Sequence, residues 1–158
     1  MMSNVNQNQS KIQVFLLDEA KNIFPRGNVI LGIDYGMKRI GLALSDKTGA
    51  IASPFKTIYQ LKELDDIIPA KDVKAFVVGL PLQTDNQEGD IAKQVRLFCN
   101  RISEKYNLPV FLIDERYTSK FASEYLSGRC MREKKQKKVL DSFAATRILQ
   151  KALDEIKK

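Results

Sequence analysis

Two acidic residues stand directly at the ends of apolar segments with the composition of buried strands. Asp34 follows the run VILGI, and Glu115 closes the segment VFLIDE. Open α/β sheets place ligands at the carboxyl ends of their strands, and two such ends can adjoin. Asp114 and Glu115 would point to opposite faces of one strand, so only one of them is expected in a given site. The spacing predicts a carboxylate pair, although Asp34 could also serve only as a turn former before Tyr35 and Gly36.

A third acid, Asp141, is expected in the first turn of a final amphipathic helix over residues 139–156. The helix dipole favours a negative charge there, and that alone could explain the residue. Ala144 and Ala145 beside it would let the helix approach a sheet closely and bring Asp141 to the strand ends. Both interpretations stay open at this point.

The chain contains no histidine, which excludes several classes of mechanism. Serine–histidine–acid triads, cysteine–histidine dyads and histidine zinc sites cannot be built from it. Three carboxylates crowded together repel one another unless cations neutralise them, and hard oxygen ligands select Mg²⁺ or Mn²⁺. A pair of such ions can activate water for attack on a phosphodiester. The residues present therefore permit metal-dependent hydrolysis of nucleic acid.

The net charge of +7 is concentrated in one segment. Residues 129–138 (RCMREKKQKK) hold six cations and one acid, and the rest of the chain is near neutral. Such a segment favours contact with a phosphate backbone, since each contact releases condensed counterions. A solvated loop without a ligand is the alternative. Arg116, directly after Glu115, could hold a phosphate or form a salt bridge. The candidate nucleic-acid-binding residues are Arg116, Arg132, Lys134, Lys135, Lys137 and Lys138.

Composition indicates one globular domain. The chain has 158 residues, of which 44% are hydrophobic and 28% charged. Its apolar runs are far shorter than the ~20 residues that span a bilayer, and the first residues lack the pattern of a secretory signal. The two cysteines suggest no disulfide framework, and Cys99 is expected to fill the core. We expect a soluble protein of the cytoplasm.

The order of the elements predicts a mixed α/β sheet flanked by helices. Three meandering antiparallel strands come first, with Pro54 favouring an edge position for the third, and parallel strands joined by helices follow. Residues 1–9 are expected to be disordered, residues 10–27 to form an appended helix capped by Ser10, and residues 28–158 to form the domain. The predicted strands cover residues 28–33, 39–45, 50–58, 74–79 and 110–114; the predicted helices cover 61–70, 90–106 with Asp90 as cap, 118–127 and 139–156.

The segment after the fourth of these strands, GLPLQTDNQEG, is long and polar. It opens at a strand's carboxyl end and could position substrate, with Asp85 and Glu88 as auxiliary acids. A solvated connection is the plainer interpretation.

Four segments together resemble one known family: GIDYGMKRIGLALSD, VVGLPLQTDNQEG, LIDERYTS and KKVLDSFAATRIL. In this order they are similar to the YqgF family of RNase H-like proteins, which resemble Holliday-junction resolvases in fold and are regarded as nucleases maturing the 5′ end of pre-16S ribosomal RNA. The resemblance implies an RNase H-like fold, with Asp34 of IDYG, Glu115 of DER and Asp141 of LDSFAA as metal-binding catalytic acids. Residues 1–27 precede the usual family pattern, and Asn86-Gln87 stand where a Gly-Thr pair is common.

Three other functions are consistent with parts of the sequence. A resolvase would cut branched DNA, and a non-catalytic ribosome assembly factor would bind RNA through the basic segment alone. The motif GIDYGMKRIG also suits the nucleotide site of actin-like proteins and sugar kinases, but those need two domains of this fold.

Overall fold

The computed structural model describes residues 11–82, 87–115 and 133–158, and within the last range it describes side chains from Ser142 onward. Several predictions lie outside these residues: disorder in residues 1–9, the helix over 118–127, and the surroundings of Asp85, Arg116 and Arg132.

A six-stranded mixed sheet forms the centre of the protein, and its strand order is β1-β6-β5-β2-β3-β4. β2, β3 and β4 pair antiparallel, whereas β5 lies parallel to β2, β6 to β5 and β1 to β6. The predicted antiparallel-then-parallel sheet is therefore confirmed, with β4, which contains Pro54, at an edge. The strands are β1 (Val14–Leu16), β2 (Val29–Tyr35), β3 (Ile40–Ser45), β4 (Ala52–Ile58), β5 (Val73–Leu80) and β6 (Val110–Asp114).

Helices cover both faces of this sheet. The described helices are α1 (Leu64–Lys71), α2 (Asp90–Tyr106) and α3 (Glu133–Lys157). Alternation along β2 divides the core: Leu31 and Ile33 pack in the cluster that contains residues of α1 and α2, while Ile30 packs in the cluster that contains residues of α3. Gly32 and Asp34, in phase with Ile30, therefore belong to the α3 face.

The predicted N-terminal helix is wrong, because this segment supplies strand β1 and two 3-10 turns, Leu17–Glu19 and Lys21–Ile23. The N–H of Val110 donates to the carbonyl of Gln13 (2.8 Å), so the segment satisfies backbone groups that the edge of β6 would otherwise leave unpaired. Ile12 and Ile23 are half exposed (50% and 51%), whereas Leu17, Ala20 and Phe24 are buried.

Helix α2 has the predicted bounds, but its first turn differs from the prediction. Gly89 is the N-cap residue and Asp90 is the first helical residue, without a side-chain capping bond. Ile91 is 65% exposed, while Ala92, one helical step of 100° further round the helix, is buried. Cys99 is buried, as expected of a core residue.

Candidate active site

The structure brings Asp34 and Glu115 into contact at the carboxyl ends of strands in the parallel part of the sheet. Asp34 is the penultimate residue of β2, and Glu115 directly follows β6. The N–H of Glu115 donates to the carbonyl of Leu80 (3.3 Å), which extends the pairing of β6 with β5 through the acid. The two carboxyl groups share a hydrogen bond. The juxtaposition expected from the two strand ends is therefore present.

This contact has electrostatic consequences for Glu115. Burial raises the pKa of Glu115 above its ordinary value, the hydrogen bond from Asp34 lowers it, and the charge of Asp114 raises it further; the net direction is upward. Two ionised carboxylates cannot share a hydrogen bond. The raised pKa means that a proton, or a cation in its place, stabilises this pair.

Gly79 of β5 provides the space that Glu115 occupies. A Cβ atom at position 79 would lie 2.6 Å from Oε2 and 3.0 Å from Cβ of Glu115. It would also lie 2.7 Å from Cδ1 of Ile148 on α3. The sequence pattern predicts only that a strand ends at Gly79. The side chain that needs this space, Glu115, follows a different strand, so the requirement for glycine is not visible in the local sequence.

Helix α3 lies very close to the sheet at Gly32 of β2. A Cβ atom there would be 2.6 Å from Cβ of Leu149 and 3.0 Å from the carbonyl oxygen of Ala145. Ala144 and Ala145 are buried, in agreement with the close approach that their small side chains predicted. The main chain of α3 therefore contacts β2 at Gly32, two residues before Asp34.

The backbone position of Asp141 is defined by its neighbours on α3. The hydroxyl groups of Ser142 and Thr57 are 3.5 Å apart, and Thr57 pairs with Gly41, which in turn pairs with Asp34. Residue 141 therefore lies next to the row of the sheet that contains Asp34. Neither hydroxyl was singled out by the sequence pattern, because their proximity depends on the packing of α3.

The expectation that Asp141 lies in the first turn of its helix is wrong. Helix α3 is already formed at Glu133, so Asp141 lies more than two turns inside it. The dipole effect falls off within the first turn and no longer explains an acid at this position. The same correction applies to the predicted basic loop. Four of its cations lie on the first turns of α3: Lys134, Lys135, Lys137 and Lys138.

The other candidate acids have different surroundings. Glu88 forms an ion pair with Arg96 of α2, and its backbone forms an isolated antiparallel β-bridge with Leu82. This supports the structural interpretation of Glu88. Asp114 lines a cleft of about 450 Å³ beside Leu16 and Asp18, and its carbonyl accepts a hydrogen bond from Lys151 (2.9 Å).

A hard divalent cation fits the chemistry of the carboxyl pair. Among the described side chains no group of three or more acids and thiols is gathered at one place, and Asp141 is not among those side chains. Two half-buried, hydrogen-bonded carboxyl groups nevertheless supply oxygen ligands and a negative charge that a cation would neutralise. None of the helices in the described ranges is long and apolar enough to cross a membrane.

The mixed sheet, flanked by helices on both faces and with acids at the carboxyl ends of β2 and β6, defines a protein of the RNase H-like class. In agreement, the solved structure titled "T. thermophilus RuvC in complex with Holliday junction substrate" superimposes with a TM-score of 0.50 at 14% identity, over 80% of this chain and 94% of that one. At this identity the likeness concerns the fold.

Sequence comparison identifies the family. Residues 28–155 match the family model described as "RuvX: Holliday junction resolvase", and the chain belongs to this family, as its YqgF motifs predicted. A relative from Anaplasma marginale is 41% identical over 134 residues, covering 81% of this chain and 85% of the relative. One from Thermosynechococcus vestitus is 40% identical over 131 residues, covering 79% and 87%. Both are named "Putative pre-16S rRNA nuclease".

Proposed function

We propose that this protein is a divalent-metal-dependent nuclease that hydrolyses phosphodiester bonds at the 5′ end of pre-16S ribosomal RNA. The observation that carries the proposal is the hydrogen-bonded carboxyl pair of Asp34 and Glu115 at the carboxyl edge of the sheet. The substrate follows from the names of the relatives, and it implies a cytoplasmic location.

Asp34, Glu115 and Asp141 would hold Mg²⁺ or Mn²⁺, which supplies Lewis-acid activation of water and stabilisation of the leaving oxygen when bound. Asp34 and Glu115 offer oxygen ligands from a half-buried site where two negative charges otherwise repel. Residue 141 lies on the stretch of α3 that crosses the row of Asp34. A carboxylate at this place has no helix-start explanation, which supports its assignment as the third ligand.

The protein's own cations would hold the nucleic acid. The basic residues on the first turns of α3 precede Asp141 on the same helix, so phosphates bound there would lie within about 10 Å of residue 141 along the helix axis. Arg116 follows Glu115 directly in the chain and is proposed as a second phosphate contact, together with Arg132. In this arrangement the cations position the backbone and the carboxylates perform the hydrolysis.

The experiment that tests this proposal is the substitution Asp34→Asn. We expect Mg²⁺-dependent cleavage of a 5′-extended 16S precursor RNA to fall by at least ~10³-fold, because the variant loses a charged oxygen ligand at the reacting phosphate. Affinity for the same RNA in Ca²⁺ should change less than ~3-fold, since the basic residues are intact. Asp66→Asn, at an exposed acid of α1, makes the same chemical change away from this site and should cleave normally.

Two other outcomes would identify the alternatives. Cleavage of a four-way DNA junction but not of the RNA would favour the resolvase named by the family description. Tight RNA binding with cleavage that Asp34→Asn leaves unchanged would favour a non-catalytic assembly factor. Sequencing ribosomal RNA from depleted cells separates the substrates in vivo, since the proposal requires 16S precursors with extended 5′ ends to accumulate.

A further inference from the structure

Asp34 and Glu115 meet although their strands are not neighbours. The sheet order places β5 between β6 and β2. Adjacent strands lie ~4.8 Å apart, so the backbones of β2 and β6 are separated by about 10 Å. The two side chains can share a hydrogen bond only by crossing over β5.

Position 79 is the point of β5 over which they cross. Val78 pairs with Ile33 in parallel register, so Gly79 is level with Asp34, and Gly79 itself pairs with Ile113, two residues before Glu115. A Cβ at position 79 would stand 2.6 Å from Oε2 of Glu115, closer than real Cβ contacts come. The Glu115 side chain thus lies directly on the Gly79 main chain.

The backbone at position 79 does not itself require glycine. Among the described glycines, positive φ angles occur at Gly27 and Gly49, whereas Gly79 continues an ordinary strand. Glycine in a strand interior weakens the strand, because it contributes no side chain to pack. The requirement at position 79 is therefore for space.

We propose that Gly79 is a positioning residue for the reaction: its missing side chain lets Glu115 reach across β5 and join Asp34 in one site. The inference rests on the proposed function of the carboxyl pair. Its physical content, that the contact between the acids depends on glycine at position 79, can be measured without a substrate.

The test separates this role from simple packing. Gly79→Ala introduces two overlaps, one with Glu115 and one with Cδ1 of Ile148 at 2.7 Å. Ile148→Val removes that Cδ1 atom and leaves the Glu115 overlap in place. The double variant should therefore melt near the temperature of Ile148→Val alone, while its Mg²⁺-dependent cleavage stays at least ~100-fold lower, as expected for misplacement of a reacting group by about 1 Å.

A crystal structure of the double variant supplies the substrate-independent result. The Cβ added at position 79 displaces Oε2 of Glu115, so the carboxyl groups of Glu115 and Asp34 should move out of hydrogen-bond distance in the double variant but not in Ile148→Val. Separated carboxyl groups with no nuclease activity in any variant would refute the proposed function and support this inference. Wild-type cleavage, or an unchanged contact between the two carboxyl groups in the double variant, would overturn it.

A second comparison applies if the double variant does not fold. In a Glu115→Gly, Ile148→Val background both overlaps are absent, and Gly79→Ala should lower the melting temperature by no more than ~2 °C, about the shift expected from a few tenths of a kcal/mol in a domain of this size. Loss of folding on Gly79→Ala in this background too would show that Glu115 is not the group that requires glycine, and would overturn the proposal.

Discussion

Replacing Gly32 by alanine should move α3 away from β2, and it should lower the nuclease activity much more than the stability of the fold. The added Cβ would stand 2.6 Å from Cβ of Leu149, while carbon atoms in contact prefer 3.5–4.0 Å. The carbonyl of Ala145 lies at 3.0 Å on the same side, so a rotamer change cannot relieve the overlap. The helix must therefore recede by about 1 Å.

The cost follows from that displacement. Overpacking of this kind destabilises by about 1–3 kcal/mol. Residue 141 lies one turn before Ala145 on the same rigid helix, so it recedes with it from the row of Asp34. A displacement of about 1 Å at a catalytic group can lower the rate ~100-fold. Stability should fall modestly while activity falls by two orders of magnitude.

Urea denaturation and single-turnover RNA cleavage on the same samples measure both effects. Ile156→Val provides the matched control, because it removes a methyl group from a buried residue at the far end of α3 and costs a similar ~0.5–1.5 kcal/mol without wedging the helix from the sheet. It should retain nearly full activity. Gly32→Ala with activity within a few-fold of wild type would refute the assignment of Asp141 as a ligand that acts together with Asp34.

Three further outcomes are expected. The pKa of Glu115 is raised in the folded protein. Between the ordinary pKa of 4.5 and the raised pKa, the folded state therefore binds more protons than the unfolded state. The free energy of unfolding falls as the pH rises through that window. Glu115→Gln should therefore raise the melting temperature in metal-free buffer at neutral pH, with no gain below pH 4.5; a lowered temperature at pH 7 would contradict the raised pKa. Deleting residues 1–27 should markedly lower the melting temperature, because it removes β1 from the edge of β6 and removes the buried Leu17 and Phe24. An unchanged melting transition by circular dichroism would show that the segment does not stabilise the fold. The last outcome concerns replacing Lys134, Lys135, Lys137 and Lys138 on the first turns of α3 by uncharged residues. The slope of log affinity against log salt concentration should become shallower by ~0.7–0.9 for each phosphate contact that is lost. An unaltered slope would show that these lysines do not contact the nucleic acid.

The paired acids could be predicted from the sequence because the cause is local. An apolar run of strand length that ends in an acid places that acid at the carboxyl end of a strand, whatever the order of the strands in the sheet. Asp34 and Glu115 both follow this pattern. Helix α2 was predictable for the same reason, as its 3.6-residue period persists over 17 residues.

The remaining features depend on distant partners. The three residues of β1 are too few to display an alternation, and their partner strand begins at Val110, far along the chain. The early start of α3 was obscured by charge, although Lys, Glu and Gln are good helix formers. Gly79 is explained only by a side chain that reaches over from the end of β6.

The most direct test of the three-carboxylate site is a crystal structure of the protein soaked in Mn²⁺, with anomalous scattering measured at the manganese edge. We predict a peak at ~2.0–2.3 Å from carboxylate oxygens of Asp34, Glu115 and Asp141. A peak held without Asp141, or no peak at Asp34 and Glu115 at saturating Mn²⁺, would contradict the proposed catalytic centre.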